Sequence, residues 1–340
     1  MAGGKADRPR PGEFELIAEL FAPLARNAAG AFGLTDDAAL YRAAPGMETV
    51  LTVDAMVAGV HFLPTDPPDT VARKLLRVNL SDLAAKGARP RGYLLVTALS
   101  EETSMPWLED FAAGLAADQA EFGISLWGGD TVSTPGPLTL SLTAIGEVKE
   151  GAMLPRGGAK AGDRVYVTGT IGDAALGLAV LRDRLPSASE ADRAFLADRY
   201  RLPRPRTTLG PLLSGVVHAA LDVSDGLVAD LTHMCDASGL AATIRAADVP
   251  FSGAAAAMLV AEADVTFASL LTGGDDYELL LAVPAEEEEA FLAIAAGAGV
   301  PVALIGHLEE RANRAPETLV RLVDAEGEPI AVPHQGFRHF

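Results

Sequence analysis

The stretch LTLSLTAIGEVKEGAMLPRGGAKAGDRVYV, residues 138–167, contains a strand, a linker and a second strand in succession. Leu140 and Leu142 flank Ser141, which is the two-residue period of a strand with one buried face. Residues 149–162 then carry glycines, a proline and basic side chains without periodic apolar positions, which is typical of a linker. Because a new apolar run follows at once, this stretch predicts a boundary between two domains near residue 150.

Apolar periodicity predicts the elements on both sides of this boundary. On the amino-terminal side, helices are expected at 13–26, 70–86 and 105–122, and strands at 49–53, 93–99, 124–127 and 138–148. On the carboxyl-terminal side, strands are expected at 164–167, 219–223, 277–283, 302–308 and 319–323, and helices at 207–217, at 227–235 and through 286–289. We therefore predict two mixed α/β domains, residues 1–150 and 151–340.

Composition excludes several classes of protein. A chain of 340 residues exceeds the roughly 250–300 residues that one hydrophobic core supports, which agrees with two domains. The formal charge of −19 disfavours nucleic acid as a partner. Cys235 is the only cysteine, so an intrachain disulfide and a thiolate metal cage are excluded. No apolar stretch approaches the ~20 residues that cross a bilayer, and the first residues do not resemble a signal peptide, so we expect a cytoplasmic protein without a membrane partner.

Aspartates fall in short polar interruptions at the ends of apolar elements. They are Asp36, Asp37, Asp54, Asp82, Asp130, Asp222, Asp225, Asp275 and Asp276. Each alone has an ordinary structural explanation, because Asp favours turns and helix N-caps. Two of the sites follow glycine pairs, Gly128-Gly129 and Gly273-Gly274, whose backbone can approach an anion closely. Carboxylates beside an anion require a cation between them, and Mg²⁺ prefers carboxylate and phosphate oxygens. The set therefore predicts chemistry on a magnesium–nucleotide complex rather than a zinc site.

Familiar nucleotide and hydrolase signatures are missing from the sequence. It has no Gly-x-x-x-x-Gly-Lys-Ser/Thr loop, no His-Arg-Asp or Asp-Phe-Gly kinase signature and no Gly-x-Ser-x-Gly elbow. P-loop enzymes, protein kinases and α/β-hydrolases are therefore disfavoured.

Five sequence blocks in a fixed order resemble a known family. They are VAGVHF at 57–62, NLSDLAA at 79–85, GGDT at 128–131, DVSDGL at 222–227 and GGDDYE at 273–278. With them the chain resembles, nearly from end to end, the thiamine-monophosphate kinases of the PurM-like (aminoimidazole-ribonucleotide-synthetase-like) superfamily. The resemblance implies an amino-terminal domain that pairs its sheet across a homodimer and a carboxyl-terminal α/β sandwich.

The resemblance also implies an activity and a set of site residues. The γ-phosphoryl group of ATP would pass directly, in line, to the phosphate of thiamine monophosphate, giving thiamine diphosphate and ADP. No covalent nucleophile or general base is implied, and the charge of the transition state would be stabilised at Asp130 and Arg156. Several Mg²⁺ ions would be held by Asp37, Thr52, Val53, Asp54, Asp82, Asp130, Asp222 and Asp225. ATP contacts map to Gly129, Asp130, Arg156 and Ser224, and substrate contacts to His61, Asp275 and Phe337.

Three positions depart from the family pattern. The usual Gly-x-Gly-Asp-Asp is Gly33-Leu34-Thr35-Asp36-Asp37, which lacks one glycine. Val53 replaces a threonine, so it can ligate a metal only through its backbone carbonyl. Asp275 stands where Glu is common, which shortens the reach of the carboxylate by one methylene.

Other functions remain open at this point. Aminoimidazole-ribonucleotide synthetase shares the implied fold, whereas selenophosphate synthetase and the hydrogenase-maturation carbamoyl dehydratase need a cysteine near a terminus. Cys235 lies inside a predicted helix and serves neither role. A non-catalytic regulator that binds nucleotide or divalent cations would carry the same acidic loops.

Overall fold

The structure is a computed structural model that describes residues 8–312, 314–315, 318–332 and 336. The chain divides into two compact units. Unit 1 contains the described residues up to Leu83 together with Ala88–Gly151, and unit 2 contains Ala84–Gly87 and the described residues from Ala152 onwards. None of the described helices is long and apolar enough to span a membrane.

Unit 1 is built on a four-stranded mixed sheet. Its elements are α1 Glu13–Leu16, β1 Met47–Val57, α2 Pro68–Ala85 (whose end lies in unit 2), β2 Arg89–Leu99, α3 Met105–Phe122, β3 Ser125–Ser133 and β4 Thr139–Lys149. The strand order is β1-β4-β2-β3, so β1 and β3 are the two edge strands. β2 and β3 are parallel, whereas β4 runs antiparallel to both β1 and β2.

The two faces of this sheet differ because its strands alternate. In β1, Val50 and Met56 are buried and share a core with the apolar residues of α2 and α3. Leu51 and Val53 point the other way and are 65% and 61% exposed. We call the first side the helix face and the second side the open face. Val96 of β2 also lies on the open face and is 41% exposed.

Unit 2 is built on a six-stranded mixed sheet. Its elements are β5 Arg164–Thr168, α4 Asp173–Leu181, α5 Glu190–Arg201, β6 Ala219–Asp222, α6 Leu227–Ser238, β7 Leu240–Arg245, α7 Gly253–Ala261, α8 Phe267–Leu271, β8 Leu279–Val283, α9 Glu288–Gly297, β9 Val302–Glu310 and β10 Val320–Val323. The strand order is β10-β7-β9-β5-β8-β6. Val167, Leu280 and Ile305 are fully buried in its core, which α6 also joins. The mixed α/β class predicted from the sequence is confirmed.

Several predicted elements differ in the structure. The helix expected at 13–26 is broken into α1, a π-helical turn and a 3-10 turn that contains Pro23, which has no N–H for a continuous helix. The helix expected at 207–217 is wrong, because only a 3-10 turn at Gly210–Leu212 forms around Pro211. The strand expected at 124–127 continues to Ser133, so Asp130 lies within β3 and not beyond its end.

Candidate active site

Thr52 and Asp54 of β1 and Asp82 of α2 form a polar group that we call the β1 cluster. The two β1 residues lie on the helix face, two positions apart, and the Thr52 hydroxyl donates a hydrogen bond to Oδ2 of Asp82. Burial, together with the negative charge of Asp82, raises the pKa of Asp54 to about 6. Val53, between them, points its side chain to the open face, so its role as a ligand stays a prediction that only its carbonyl could fulfil.

Asp36, Asp37 and Asp130 form a second group, the β3 cluster. All three line a cleft of about 770 Å³ in unit 1, together with Gly129 and apolar side chains of the open face. Asp130 is aligned with Val96 in the parallel β2–β3 pair, and side chains at aligned positions point to the same face. Asp130 therefore projects from the open face, whereas Thr131 beside it bonds Thr97 on the helix face.

The segment that carries Asp36 and Asp37 is anchored to the sheet by Tyr41. The Tyr41 ring packs on Trp127 of β3 with 4.7 Å between ring centroids. Its hydroxyl donates to Oε1 of Glu147 on β4, which also accepts from the Ala44 N–H at 3.2 Å. Burial raises the pKa of Glu147, but the bonds from Tyr41 and Arg91 outweigh it, so the pKa is lowered overall.

The structure does not bring the β1 and β3 clusters together within one chain. β1 and β3 are opposite edges of the sheet, with β4 and β2 between them. Three strand spacings of about 4.8 Å separate the two edges by roughly 14 Å. The clusters also project from opposite faces, because Asp54 faces the helices and Asp130 faces the open side.

His61 lies in the turn that follows β1. Its ring Nδ1 accepts the Val57 N–H at 3.0 Å, which fixes the neutral ring with its proton on Nε2. Lys74 of α2 donates to the His61 carbonyl at 3.2 Å and holds the turn against the helix. The ring is half-buried and its orientation is set by backbone bonds.

In unit 2, β6 ends at Asp222 and leads into a loop, Asp222–Gly226, that carries Ser224 and Asp225. Three consecutive N–H groups of this loop, those of Ser224, Asp225 and Gly226, donate to Oδ2 of Asp230 at 3.0, 3.1 and 3.2 Å. Asp230 is 4% exposed. Burial and the charge of Asp225 raise the pKa of Asp230 to about 7, against the opposing effect of the three backbone bonds.

The loop Gly273–Tyr277 is joined to the Asp222–Gly226 loop by its backbone. The Asp275 N–H donates to the Ser224 carbonyl and the Tyr277 N–H to the Val223 carbonyl, both at 2.8 Å. Asp275 and Tyr277 have φ of 73° and 50°, which are unusual for residues with a side chain. The two expected ligand loops of unit 2 are therefore one hydrogen-bonded piece.

The glycine pair of this loop serves packing within the protein. A Cβ on Gly274 would lie 2.5 Å from the Ser224 carbonyl oxygen, and one on Gly273 would lie 2.4 Å from the Ala175 Cβ. These contacts are with neighbouring backbone and side chains of unit 2. The close approach of an anion to this glycine pair stays a prediction.

Two buried acids that follow Asp275 in the sequence accept hydrogen bonds from other parts of unit 2. Asp276 accepts the N–H groups of Gly172 and Ala174 at the start of α4, at 2.8 and 3.4 Å. Burial raises the pKa of Asp276 well above its usual range, although the bond from Gly172 opposes this. Glu278 accepts from Thr168, Arg199 and Arg206 at 2.6–3.0 Å and is fully buried.

Two further predicted contacts lie in the linker and at the carboxyl terminus. Arg156 is exposed, and its loop is held by the Ala220 N–H, which donates to the Pro155 carbonyl at 2.9 Å. Phe337 lies outside the described residues. Gly336, just before it, packs so closely on the Asp222–Gly226 loop that a Cβ would meet the Asp225 carbonyl oxygen at 2.6 Å.

The donors of these clusters fit a magnesium ion. The β1 cluster offers two carboxylates and a hydroxyl, and the β3 cluster offers three carboxylates, which are the oxygen donors that Mg²⁺ takes. The pKa of Asp54 is raised partly because Asp82 repels its charge, and a bound cation would remove this repulsion. Among the described residues, Asp225, Asp230 and His233 have potential ligand atoms within 4.8 Å of one another, whereas the three carboxylates of the β3 cluster are not this close.

Sequence reasoning missed Asp230 and Glu278. Both are buried acids whose partners are distant in sequence or are backbone groups, so the residue pattern alone gives no partner. The available signal for Asp230 was its place four residues after Gly226 in the first turns of α6, where a carboxylate can accept free N–H groups.

Both halves of the chain match known protein families. Residues 35–148 match the model of the AIR synthase related protein, N-terminal domain, and residues 160–316 match that of the C-terminal domain. A thiamine-monophosphate kinase of Caulobacter vibrioides is 48% identical over 302 residues, which are 88% of this chain and 85% of the relative.

Two solved structures have the same fold. A thiamine-monophosphate kinase from Stenotrophomonas maltophilia K279a superposes with a TM-score of 0.79 at 37% identity, covering 92% of this chain and 98% of the other. AaThiL complexed with AMPPCP and TMP superposes with a TM-score of 0.76 at 28% identity, covering 98% and 100%. The chain therefore belongs to the thiamine-monophosphate kinase family of AIR-synthase-related enzymes.

Proposed function

We propose that this protein transfers the γ-phosphoryl group of ATP to thiamine monophosphate, giving thiamine diphosphate and ADP. The observation that carries the proposal is the 48% identity to a thiamine-monophosphate kinase across 88% of the chain. A related structure binds AMPPCP and TMP in the same fold, which supports both substrates. The acidic loops of unit 2 and the clusters of unit 1 would supply the oxygen donors that this reaction needs.

On the ATP side, the proposed contacts are Gly129, Asp130, Arg156 and Ser224. Gly129 and Asp130 line the cleft of unit 1, and Ser224 lies in the Asp222–Gly226 loop. Arg156 is exposed in the linker, where its guanidinium can pair with phosphate oxygens. Together they would orient the triphosphate and balance its charge.

Magnesium would be held in unit 2 by Asp222 and Asp225, and in unit 1 by Asp37, Thr52, the carbonyl of Val53, Asp54, Asp82 and Asp130. When bound, Mg²⁺ neutralises phosphate charge and lets an anionic acceptor approach an anionic donor. Thr52 and Asp82 keep the β1 cluster in position through their hydrogen bond.

We propose that thiamine monophosphate, the acceptor, is contacted by His61, Asp275 and Phe337. Bonding of Nδ1 to the Val57 N–H leaves the His61 proton on Nε2, so this ring can act as a donor to an anionic substrate. Asp275 would face the cationic thiamine moiety, to which a carboxylate is complementary.

The transfer would be direct and in line, without a phosphoenzyme. The acceptor is a phosphate oxygen that is already anionic, so no strong base is required. Positioning of the two substrates and neutralisation of their charge would account for the rate acceleration. Rapid quenching of the enzyme with labelled ATP should trap no phosphate on the protein; covalent label would refute direct transfer.

We further propose a homodimer through the sheet of unit 1 and a cytoplasmic location. The open face of that sheet exposes Leu51, Val53 and Val96, which a second copy would cover. Light scattering tests the homodimer, and fractionation of the host cell tests the cytoplasmic location.

One assay tests the activity itself. Purified protein with Mg-ATP and thiamine monophosphate should form thiamine diphosphate and ADP in equal amounts, and Asp130→Asn should remove this activity without unfolding the protein. The absence of product across a range of Mg²⁺ concentrations would refute the kinase, and would leave a nucleotide- or cation-binding regulator as the second candidate.

A further inference from the structure

Asp36 and Asp37 differ from Asp130 in how the fold holds them. Asp130 is part of β3, whereas Asp36 and Asp37 are exposed in an irregular stretch, residues 35–46, that we call the acidic segment. The three carboxylates do not all lie within 4.8 Å of one another. Ligands of one Mg²⁺ ion approach it to about 2.1 Å, so the path of the acidic segment over the sheet decides whether the β3 cluster can hold an ion.

We propose that Tyr41 and Glu147 form a latch that positions the acidic segment, and with it Asp36 and Asp37, for binding of the magnesium–nucleotide complex. Both residues act through the segment, so they are positioning residues. The inference rests on the proposed magnesium-dependent function, and it adds the side chains that hold the acidic segment in place.

The latch is centred on Glu147, a carboxylate of β4, which is an inner strand of the unit 1 sheet. Glu147 is 3% exposed. The Tyr41 hydroxyl and the Ala44 N–H both donate to its Oε1, and Arg91 of β2 donates from Nε to its Oε2 at 2.8 Å. A buried carboxylate needs such donors, because leaving it unsatisfied is costly. The acidic segment supplies two of these three bonds, so its place over the sheet is coupled to the burial of Glu147.

The Tyr41 ring makes the other half of the contact. It packs on Trp127, which lies where the register of the β2–β3 pair shifts. A Cβ on Gly92 of β2 would lie 2.1 Å from the Trp127 indole, so glycine leaves the room that this ring takes against the sheet. Trp127 is three residues before Asp130 and lines the same cleft. The latch therefore ties the acidic segment to the strand that carries Asp130.

A third contact holds the chain on the other side of Tyr41. The Leu40 N–H donates to the Gly30 carbonyl at 2.8 Å, and a Cβ on Gly30 would lie 2.0 Å from the Leu40 carbonyl oxygen. The acidic segment is thus fixed by backbone bonds at residues 40 and 44, with Tyr41 between them. Asp37 lies three residues before the first of these bonds, so its position follows that of the latch.

Tyr41→Phe tests the latch, because it removes the hydroxyl and keeps the ring on Trp127. Electron paramagnetic resonance measures the Mn²⁺ concentration at half-saturation in the presence of AMPPCP, without turnover. We expect this concentration to rise about 10-fold, as it does when a group that supports metal ligands is removed. The Mg²⁺ concentration for half-maximal rate should rise by a similar factor, whereas the KM for thiamine monophosphate should stay within about 2-fold of wild type.

Unit 2 contains a matched control. The Tyr166 hydroxyl donates to Glu288, and the Tyr166 ring packs on Phe291 with 4.9 Å between ring centroids. Tyr166→Phe therefore removes a tyrosine–glutamate bond of the same kind, outside the proposed metal clusters. Lost stability should lower the melting temperature of both variants, but only Tyr41→Phe should change the half-saturation by Mn²⁺.

A double-mutant cycle shows whether Tyr41 acts through Glu147. In Glu147→Ala protein the hydroxyl has no carboxylate to bind, so adding Tyr41→Phe should change the half-saturation less than about 2-fold. An additive effect, an unchanged half-saturation in Tyr41→Phe, or an equal change in Tyr166→Phe would overturn the latch. If Glu147→Ala does not fold, the comparison of the two tyrosine variants decides by itself.

The latch and the proposed function fail in different ways. Wild-type protein that binds Mn²⁺ but forms no thiamine diphosphate would refute the function, while the Mn²⁺ titrations would still test the latch. Wild-type protein that binds no Mn²⁺ in the presence of AMPPCP would refute the latch as a device that positions metal ligands.

Discussion

At the scale of single residues, Asp230 has the clearest positioning role in unit 2. One carboxylate oxygen accepts three consecutive N–H groups of the loop that carries Ser224 and Asp225. The same loop is bonded through Ser224 to the loop that carries Asp275. A change at Asp230 should therefore displace both the proposed metal ligand Asp225 and the proposed substrate contact Asp275.

Asp230→Ala removes this carboxylate, so the loop that carries Asp225 loses the acceptor of its three N–H groups. We expect kcat to fall about 10-fold or more, and the Mg²⁺ concentration needed for half-maximal rate to rise. Asp230→Asn keeps one acceptor oxygen and should restore most of the activity. Steady-state rates across a Mg²⁺ titration measure both effects. Asp236→Asn, on the exposed side of the same helix, is the control and should behave as wild type. A fall in melting temperature without a change in the Mg²⁺ dependence would contradict a positioning role.

Gly274 is a second residue with a specific requirement. In Gly274→Ala the added Cβ would meet the Ser224 carbonyl oxygen at 2.5 Å, so the two loops must move apart. We expect the KM for thiamine monophosphate to rise about 10-fold through displacement of Asp275, a misplacement that kinetics detects readily.

The control for this change is Gly297→Ala in α9, where an added Cβ meets nothing within 4 Å. It should leave KM unchanged and stabilise the helix by about 0.5–1 kcal/mol. An unchanged KM in Gly274→Ala would show that the loops separate without moving the substrate contact.

At the scale of elements, the ends of β5 and β8 are joined by a buried charge network. Glu278, just before β8, accepts from Thr168 at the end of β5 and from Arg199 of α5 and Arg206. Arg206 lies directly before the segment 207–217, which was expected to be a helix. Its side chain bonds Glu278, and the prolines around it prevent a regular helix.

Neutralising this acid should destabilise the whole of unit 2. In Glu278→Gln, Arg206 loses its charged partner, and Arg199 keeps Asp173, whose Oδ2 lies 3.7 Å from its Nε. Breaking these buried pairs costs about 3–5 kcal/mol. Thermal or urea unfolding measures the loss. Glu289→Gln, an exposed change on α9, should stay within about 0.5 kcal/mol of wild type. A loss in Glu278→Gln no larger than that of Glu289→Gln would refute the role of the network.

The elements that the sequence predicted well have strong periodic patterns. α2, α3 and β4 carry long apolar stripes or strict alternation, and their bounds agree with the prediction within a few residues. α4, α5, α7, α8 and β7 were not predicted from the sequence. α5 is largely charged and α7 is mostly alanine, so neither shows a contrast between an apolar and a polar face.

At the scale of the whole molecule, the open face of the unit 1 sheet determines the expected assembly. Val96→Glu places a charge at the centre of this face, and in a two-fold contact the charge faces its own copy or a buried interior. We expect the variant to be monomeric by light scattering, with less activity than the dimer. Val260→Glu, at a position 90% exposed on α7, is the control and should remain dimeric. A dimeric Val96→Glu protein would mean that the copies associate elsewhere.

The sequence by itself determined the mixed α/β class and the order of the acidic blocks, and it predicts magnesium rather than zinc. These follow from local information: side-chain period, glycine next to aspartate, and the lack of a second cysteine. The tertiary structure alone decided which acids are neighbours. Asp54 and Asp82 meet because a strand and a helix pack together, whereas Asp54 and Asp130 are kept apart by two intervening strands. Strand order depends on contacts between distant segments, and no local pattern records it.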